Sequence, residues 1–374
     1  MIYLDNAATT KPCEQAVEAV ANTMRERFGN ASSLHRMGIL SSQVLSSAKR
    51  TLLTALGSSP KSSGGTPLEG DIYFTSGATE SNNTALLGAC ETYKRTGNRI
   101  VSTTIEHPSV ANVMNKLEAM GFEVVRLAPK DYDDFAQALA DAVDEKTLLV
   151  SCMAVNNETG FAADVKKLYK LVKKKNPKTL VHIDAVQGFL KVPLDGDFIS
   201  ISGHKIHSCK GIGALYVKKG VRFSPLLLGG GQQKGQRSGT EPVELAAGLE
   251  AAVKAYRGTP ALYAELKAHL LEGLSRLPDV VINSDDRCVP NIVNFSVRGV
   301  RSEIMLHSLE EKEIYVSSGS ACSKGKTSGV LGQLGISDKD ADCAIRVSFS
   351  AEITKADIDL LCENIKKGIE RFRR

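Results

Sequence analysis

The sequence has no run of about 18 apolar residues, the minimum for a helix that crosses a bilayer, so a membrane span is not expected. Nor does it open with a basic start and an apolar stretch. Met1 to Thr10 carries Asp5 and Asn6, which argues against a secretory leader and for a cytoplasmic protein. No two of the eight cysteines stand in the Cys-x-x-Cys spacing of a zinc or redox pair, and eight in 374 residues are too few for a disulfide framework. Charge of one sign is scarce as well. The 47 basic and 42 acidic residues are spread along the chain and leave no nucleic-acid footprint. Of the seven histidines only His204 and His207 stand three apart, in a Gly/Ser/Lys-rich stretch ill suited to a metal-binding helix, so no metal is expected.

What remains is an ordinary globular composition, 42% hydrophobic and 24% charged, in a chain long enough for about two domains. From Asp71 onward, short β-branched runs alternate with helical patterns, the rhythm of a mostly parallel sheet with crossover helices. Strands are predicted at 71–75, 99–104, 122–127, 146–152, 179–183, 197–201 and 212–217, with helices at 80–95, 109–120 and 163–175. The Gly/Ser-rich stretch 57–70 reads as an exposed loop. After about Tyr256 the pattern changes to a smaller α+β domain: helices at 262–274, 303–309 and 355–372, strands near 280–282, 291–297 and 344–349. The expected fold class is therefore α/β, with a large domain over 13–256 and a small one made of 1–12 and 257–374. The lysines of 166–175 surround Leu168, Tyr169, Leu171 and Val172 at helical spacing, which reads as a solvated helix face.

Candidate chemistry collects at strand ends, where ligands bind in open parallel sheets. The first strand runs into Ser76-Gly77-Ala78-Thr79 and a helix, which gathers free N–H groups and a hydroxyl into an anion site. Another strand ends at Asp184, and another at Ser202-Gly203-His204-Lys205. A lysine for an aldehyde, an acid for a ring nitrogen and donors for a phosphate are the parts that pyridoxal 5′-phosphate (PLP) requires. His107 could stack on a flat ring, the polar turn 155–160 could offer amides, and Arg346 could present its fork to a carboxylate. Taken singly, each has a plainer reading: an N-cap turn, a helix cap for Asp184, a solvated lysine, a capping or core histidine, a loop, a structural ion pair. Cys322 lies in the polar segment 317–329 beside Lys324 and Lys326, where exposure and nearby cations would favour the reactive thiolate and glycines would let the loop swing.

The motifs occur in an order that resembles the PLP-dependent cysteine desulfurases of the NifS/IscS type, in the class-V aminotransferase group. They are Tyr3-Leu4-Asp5-Asn6-Ala7-Ala8-Thr9-Thr10, Gly29-Asn30-Ala31-Ser32-Ser33-Leu34-His35, Thr75 through Asn83, Ser202 through Lys205, Arg237-Ser238-Gly239-Thr240, and Ser317 through Cys322. The resemblance implies a PLP-dependent transferase of fold type I in which Lys205 carries PLP and Asp184 meets the pyridine nitrogen. It places Gln187 and Asn157 near the ring oxygen, His107 on the ring, and Ala78, Thr79, Ser202 and His204 at the phosphate. Thr240 would reach the phosphate of a neighbouring subunit in a homodimer, and Arg346, with Asn157 assisting, the carboxylate of L-cysteine. L-Cysteine would displace Lys205, its Cα proton would be removed with His107 and Lys205 as candidates for the transfers, and the thiolate of Cys322 would take the sulfur as a persulfide, leaving L-alanine.

The sulfur would pass to an acceptor protein, an iron–sulfur scaffold or a thiolation enzyme. The sequence ends at Arg374 directly after a helix, where family members dedicated to scaffold loading usually carry a longer tail, which puts a general scaffold-loading role in doubt and leaves room for a dedicated acceptor such as a tRNA-thiolation or thiamine-pathway enzyme. Ala31 replaces the usual proline of its motif, the connection 188–201 is short, and the loop after Cys322 is slightly short. The alternatives are a selenocysteine lyase or other PLP-dependent lyase of the same fold, and, in a different class, an inactive sulfur carrier or partner-binding platform.

Overall fold

The computed structural model describes residues 1–57, 68–318 and 329–372. The chain opens with β1 (Ile2–Tyr3), α1 (Glu14–Glu26) and α2 (Arg36–Gly57). Strands and helices then alternate: β2 (Gly70–Thr75), α3 (Ala78–Tyr93), β3 (Arg99–Thr103), α4 (Pro108–Ala119), β4 (Glu123–Leu127), α5 (Phe135–Asp141), β5 (Thr147–Met153) and α6 (Val165–Lys175). Next come β6 (Leu180–Asp184), β7 (Phe198–Ser202), β8 (Gly213–Lys218) and α7 (Val243–Ala255). The remainder holds α8 (Pro260–Ser275), β9 (Val280–Ile282), β10 (Ile292–Val297), α9 (Ser302–Glu310), β11 (Ile314–Tyr315) and β12 (Ser317–Ser318). It closes with α10 (Gly329–Gln333), α11 (Asp338–Asp342), β13 (Ala344–Ser348) and α12 (Lys355–Phe372).

Seven strands form one sheet in the order β2-β8-β7-β6-β5-β3-β4, and all seven lie within a residue or two of their predicted places. Only β8 runs antiparallel to its neighbours, so the sheet is mostly parallel, as expected. Its strands are apolar on both faces because helices cover both sides. In β5, Leu149 faces one apolar cluster with Leu86, Val110 and Met114, while Val150 faces the other with Leu52, Phe74 and Ile183. Phe198 and Ile199 of β7 divide the same way, the period of two that a pleated strand imposes.

A four-stranded sheet, β12-β13-β10-β9, carries its own apolar cluster of Leu266, Val293, Phe295, Ile345 and Leu361. Leu4 belongs to that cluster, and β1 pairs in parallel with β11, so the first residues lie beside the last third of the chain. Helices α1, α5, α7, α10 and α11 are not among the predicted elements. The predicted loop at 57–70 falls mostly on 58–67, outside the described residues. No helix among the described residues is long and apolar enough to cross a membrane.

Candidate functional site

Because β2 is antiparallel to β8, and β8 to β7, the carboxyl ends of β2, β3, β5, β6 and β7 share one edge of the sheet. A cavity of about 550 Å³ opens there. At the end of β2 the chain turns through Ser76 and Gly77 into α3, so the unbonded N–H groups of the first helical turn, at Ala78 and Thr79, border the cavity. Gly77 has φ 157°. β8 passes so close that a Cβ on Gly213 would stand 2.7 Å from the Gly77 backbone. Glu80 fastens the turn, accepting the Ser76 N–H at 2.8 Å and the Arg237 guanidinium Nε at 2.8 Å. Burial alone would raise the Glu80 carboxyl, but the bonds from Arg237 and Ser76 outweigh it and hold it below its ordinary value.

Asp184, the last residue of β6, is 4% exposed. Its Oδ1 accepts the Val186 N–H at 3.0 Å and its Oδ2 the Asn82 amide at 2.9 Å. Burial pushes its carboxyl up, against those bonds and against His107 and Lys205, which favour the charge. A cation placed against it would restore the carboxylate. One strand over, Lys205 ends the short 3₁₀ turn after β7, and its Nζ donates to the carbonyls of Ala7 (2.6 Å) and Ala8 (2.7 Å). Gln187 also donates to the Ala7 carbonyl, at 2.7 Å. The N-terminal segment therefore forms part of the cavity wall, a role its sequence does not reveal. His204 bonds Thr9 through Nδ1 at 3.1 Å, and burial, with Lys205 and Lys210, lowers its imidazole to about 4, so it is neutral.

His107 caps α4: its Nδ1 accepts the Ser109 N–H at 3.2 Å and lies 2.9 Å from the Ser109 hydroxyl. The neutral ring therefore carries its proton on Nε2. Burial lowers this imidazole, with Asp184 opposing and Lys205 adding to the effect. Across the cavity, Arg346 of β13 is 2% exposed, donating Nη1 to the Asn157 carbonyl at 2.9 Å and Nη2 to Asp5 Oδ1 at 2.6 Å. Its Nε is buried without a hydrogen-bond partner among the described residues.

Ala78, Thr79, His107, Asn157, Asp184, Gln187, Ser202, His204, Lys205 and Arg346 thus all line one cavity. Thr240 does not; it is exposed, three residues beyond Arg237. Cys322 lies outside the described residues. The chain enters that segment from β12, where Ser317 pairs with Arg346 and Ser318 with Ile345. Sequence reasoning assigned no role to Asp5, Asn82, Ser109 or Lys210. Asp5 and Asn82 sit inside two of the quoted motifs, which was a usable signal; Lys210 carried none. His204 and His207 bond Thr9 and the Lys11 carbonyl (3.0 Å), and the described residues contain no cluster of metal-ligating side chains.

An amine, a buried acid and a helix N-terminus converging on one cavity can hold a ligand with an aldehyde, a basic ring nitrogen and a phosphate. Comparison with known proteins agrees. Residues 2–361 match the family model described as aminotransferase class-V. The cysteine desulfurase of Trichormus azollae is 36% identical over 392 aligned positions, spanning 100% of this chain and 94% of that protein. A solved structure of a NifS-like protein superposes with a TM-score of 0.86 at 34% identity, covering 99% of both chains. SspA in complex with cysteine superposes with a TM-score of 0.80 at 29% identity, covering 94% of this chain and 99% of that one.

Proposed function

The chain belongs to the class-V aminotransferase family, and we propose that it is a PLP-dependent cysteine desulfurase, converting L-cysteine to L-alanine and delivering the sulfur as a persulfide on Cys322. The observation that carries this reading is the placement of the Lys205 amine and the buried Asp184 carboxyl on one cavity, from neighbouring strand ends, beside the N-terminus of α3. Bound PLP supplies an electron sink for the carbon skeleton of the substrate. Lys205 holds the aldehyde and Asp184 the ring nitrogen. His107 would stack on the ring, Gln187 and Asn157 would meet its hydroxyl, and Ala78, Thr79, Ser202 and His204 would hold the phosphate, all of them residues of the cavity lining. Arg346, which borders the cavity, takes the substrate carboxylate, with Asn157 beside it. Once freed, the Lys205 amine takes the Cα proton, and His107, with its proton on Nε2, is placed to return one. Cys322 then forms an S–S bond to the substrate sulfur as the C–S bond breaks. The bonding pair stays with carbon, which is protonated to the methyl group of alanine, so no outside oxidant is consumed.

Thr240 acts across a homodimer interface in this proposal. Exposed Met24, Phe28, Leu34 and Ile39 on and between α1 and α2, and Leu226 to Leu228 close to Ser238, supply an apolar face for a second copy. The two main apolar clusters support the division into 13–256 and 1–12 with 257–374, although Ala7, Val289 and Ile292 pack into the cluster of the large sheet. A cytoplasmic setting suits the seven described cysteines, all free thiols, and an acceptor protein, scaffold or thiolation enzyme, receives the sulfur. The test is to mix the protein with L-cysteine without reductant and weigh the chain. A gain of roughly 32 Da mapped to Cys322, with alanine released in equal amount, is expected. A PLP spectrum with no added sulfur overturns the reading.

A further inference from the structure

Asn82, on α3 and fully buried, is not in the cavity lining, yet its amide touches two residues that are. Nδ2 has two protons and two acceptors: Asp184 Oδ2 at 2.9 Å and the Ser109 hydroxyl at 2.9 Å. That hydroxyl lies 2.9 Å from His107 Nδ1. One side chain therefore joins the acid and the imidazole that face the ring in the proposed site.

An amide can bind either way round, and here the Asp184 carboxylate, which can only accept, fixes its direction: Nδ2 faces Asp184 and Oδ1 faces His182. His182, two residues before Asp184 on β6 and 0% exposed, places Nε2 3.2 Å from Asn82 Oδ1 and 3.1 Å from the Ser200 hydroxyl. Its Nδ1 lies 2.9 Å from the Ser151 hydroxyl. Burial lowers this imidazole to about 3, so the ring is neutral and has one N–H to give. Because Asn82 Oδ1 can only accept, that N–H is Nε2, and Nδ1 accepts from Ser151. A flipped Asn82 would set its oxygen against the Asp184 carboxylate, whereas neutral His182 could answer the flip by carrying its proton on Nδ1 toward Ser151, so the acid selects the direction and the imidazole follows it.

Resting on the PLP reading of the cavity, we propose that Asn82 is a positioning residue that holds Asp184 and His107 in register on the cofactor ring, and that the His182 Nε2–H anchors the oxygen of its amide. The structural job of a buried polar cluster alone would be met by any arrangement that satisfied these groups. The arrangement here ends on the two side chains that flank the ring.

The experiment measures the PLP dissociation constant and the circular dichroism of the PLP band in the full-length protein and four variants. Losing a hydrogen bond to a buried carboxylate weakens binding roughly 10- to 100-fold, so Asn82→Ala is expected in that range with a reduced dichroic band. Asn82→Asp keeps the shape but sets a second carboxylate against Asp184, so it is expected to bind at least as weakly. His182→Gln, whose amide nitrogen reproduces the Nε2 donor, is expected within about twofold of the parent. His182→Leu lacks a donor and is expected to weaken PLP about tenfold. Equal loss in both His182 variants, or unchanged binding and dichroism in the Asn82 variants, overturns the proposal. A parent protein with no PLP band refutes the cofactor reading instead. Should Asn82→Ala fail to fold, the His182 pair decides the question alone.

Discussion

Replacing Glu106 with glutamine should remove a pH-dependent loss of stability. Glu106 is 5% exposed, beside the cavity but not in its lining. Its Oε1 accepts the Thr103 hydroxyl at 2.7 Å and the Met153 N–H at 2.9 Å, while its buried Oε2 has no partner among the described residues. Burial, with Asp184 adding to it, raises this carboxyl from 4.5 to about 8. The folded chain thus keeps a proton that the unfolded chain gives up. Stability is untouched below about pH 4.5 and falls as pH rises from there through about 8. By linkage the fall between pH 5 and pH 8 is roughly 3 to 4 kcal/mol, or about 5 °C in melting temperature for a chain of this length. Glu106→Gln keeps the Oε1 acceptor and places an NH₂ where the protonated acid has its OH, so the two proteins should melt together at pH 5. By pH 8 the variant should melt about 5 °C higher, as read by thermal scans of the PLP-loaded proteins. Parallel melting curves across that range would show that Glu106 is already ionised in the fold, and the assignment of a buried neutral acid would be wrong.

Two more expectations concern the walls of the cavity. Gly213→Ala would force the Gly77 turn away from β8, because its Cβ has only 2.7 Å to that backbone. Overpacking of this kind costs about 1–3 kcal/mol, and inorganic phosphate should protect the variant from heat less well than the parent. Equal protection would dissociate that turn from anion binding. Arg346→Lys cannot reproduce a fork that holds Asp5 and the Asn157 carbonyl together, so kcat/KM for L-cysteine should fall roughly 100-fold while PLP content stays full. A lysine variant with parental kcat/KM would remove Arg346 from substrate recognition.

The sheet was legible because most of its strands are short runs rich in β-branched or other apolar residues bounded by turn residues, and because helices on both faces keep the central strands buried. Asp184 and Lys205 were legible for the same reason: one ends such a run and the other follows one by three residues. Helix α7, Val-Glu-Leu-Ala-Ala-Gly-Leu-Glu-Ala-Ala-Val-Lys-Ala, was not, since its small apolar residues spread around the helix and blur the stripe that identifies an amphipathic segment. Helix α5, with seven residues, is too short to set up a period. Partnerships resisted most. Asn82 reads as an ordinary polar residue of a helix, and only the fold brings it to Asp184, 102 positions away. Asp5 and Arg346 are 341 positions apart, and neither side chain announces the other.

That last separation sets a timetable for the newborn chain. At ribosomal speeds of about 5–20 residues per second, Asp5 emerges roughly 17–70 s before Arg346 can meet it. Ile2 and Tyr3 likewise wait for Ile314 and Tyr315. Until then the segment that carries the Ala7 and Ala8 carbonyls, which receive the Lys205 amine, is held only from the side of Gln187, His204 and His207. The large sheet can assemble early, but the reactive lysine acquires its final surroundings only when synthesis is nearly over, so a chain interrupted before β13 would hold the lysine without the apparatus that governs it.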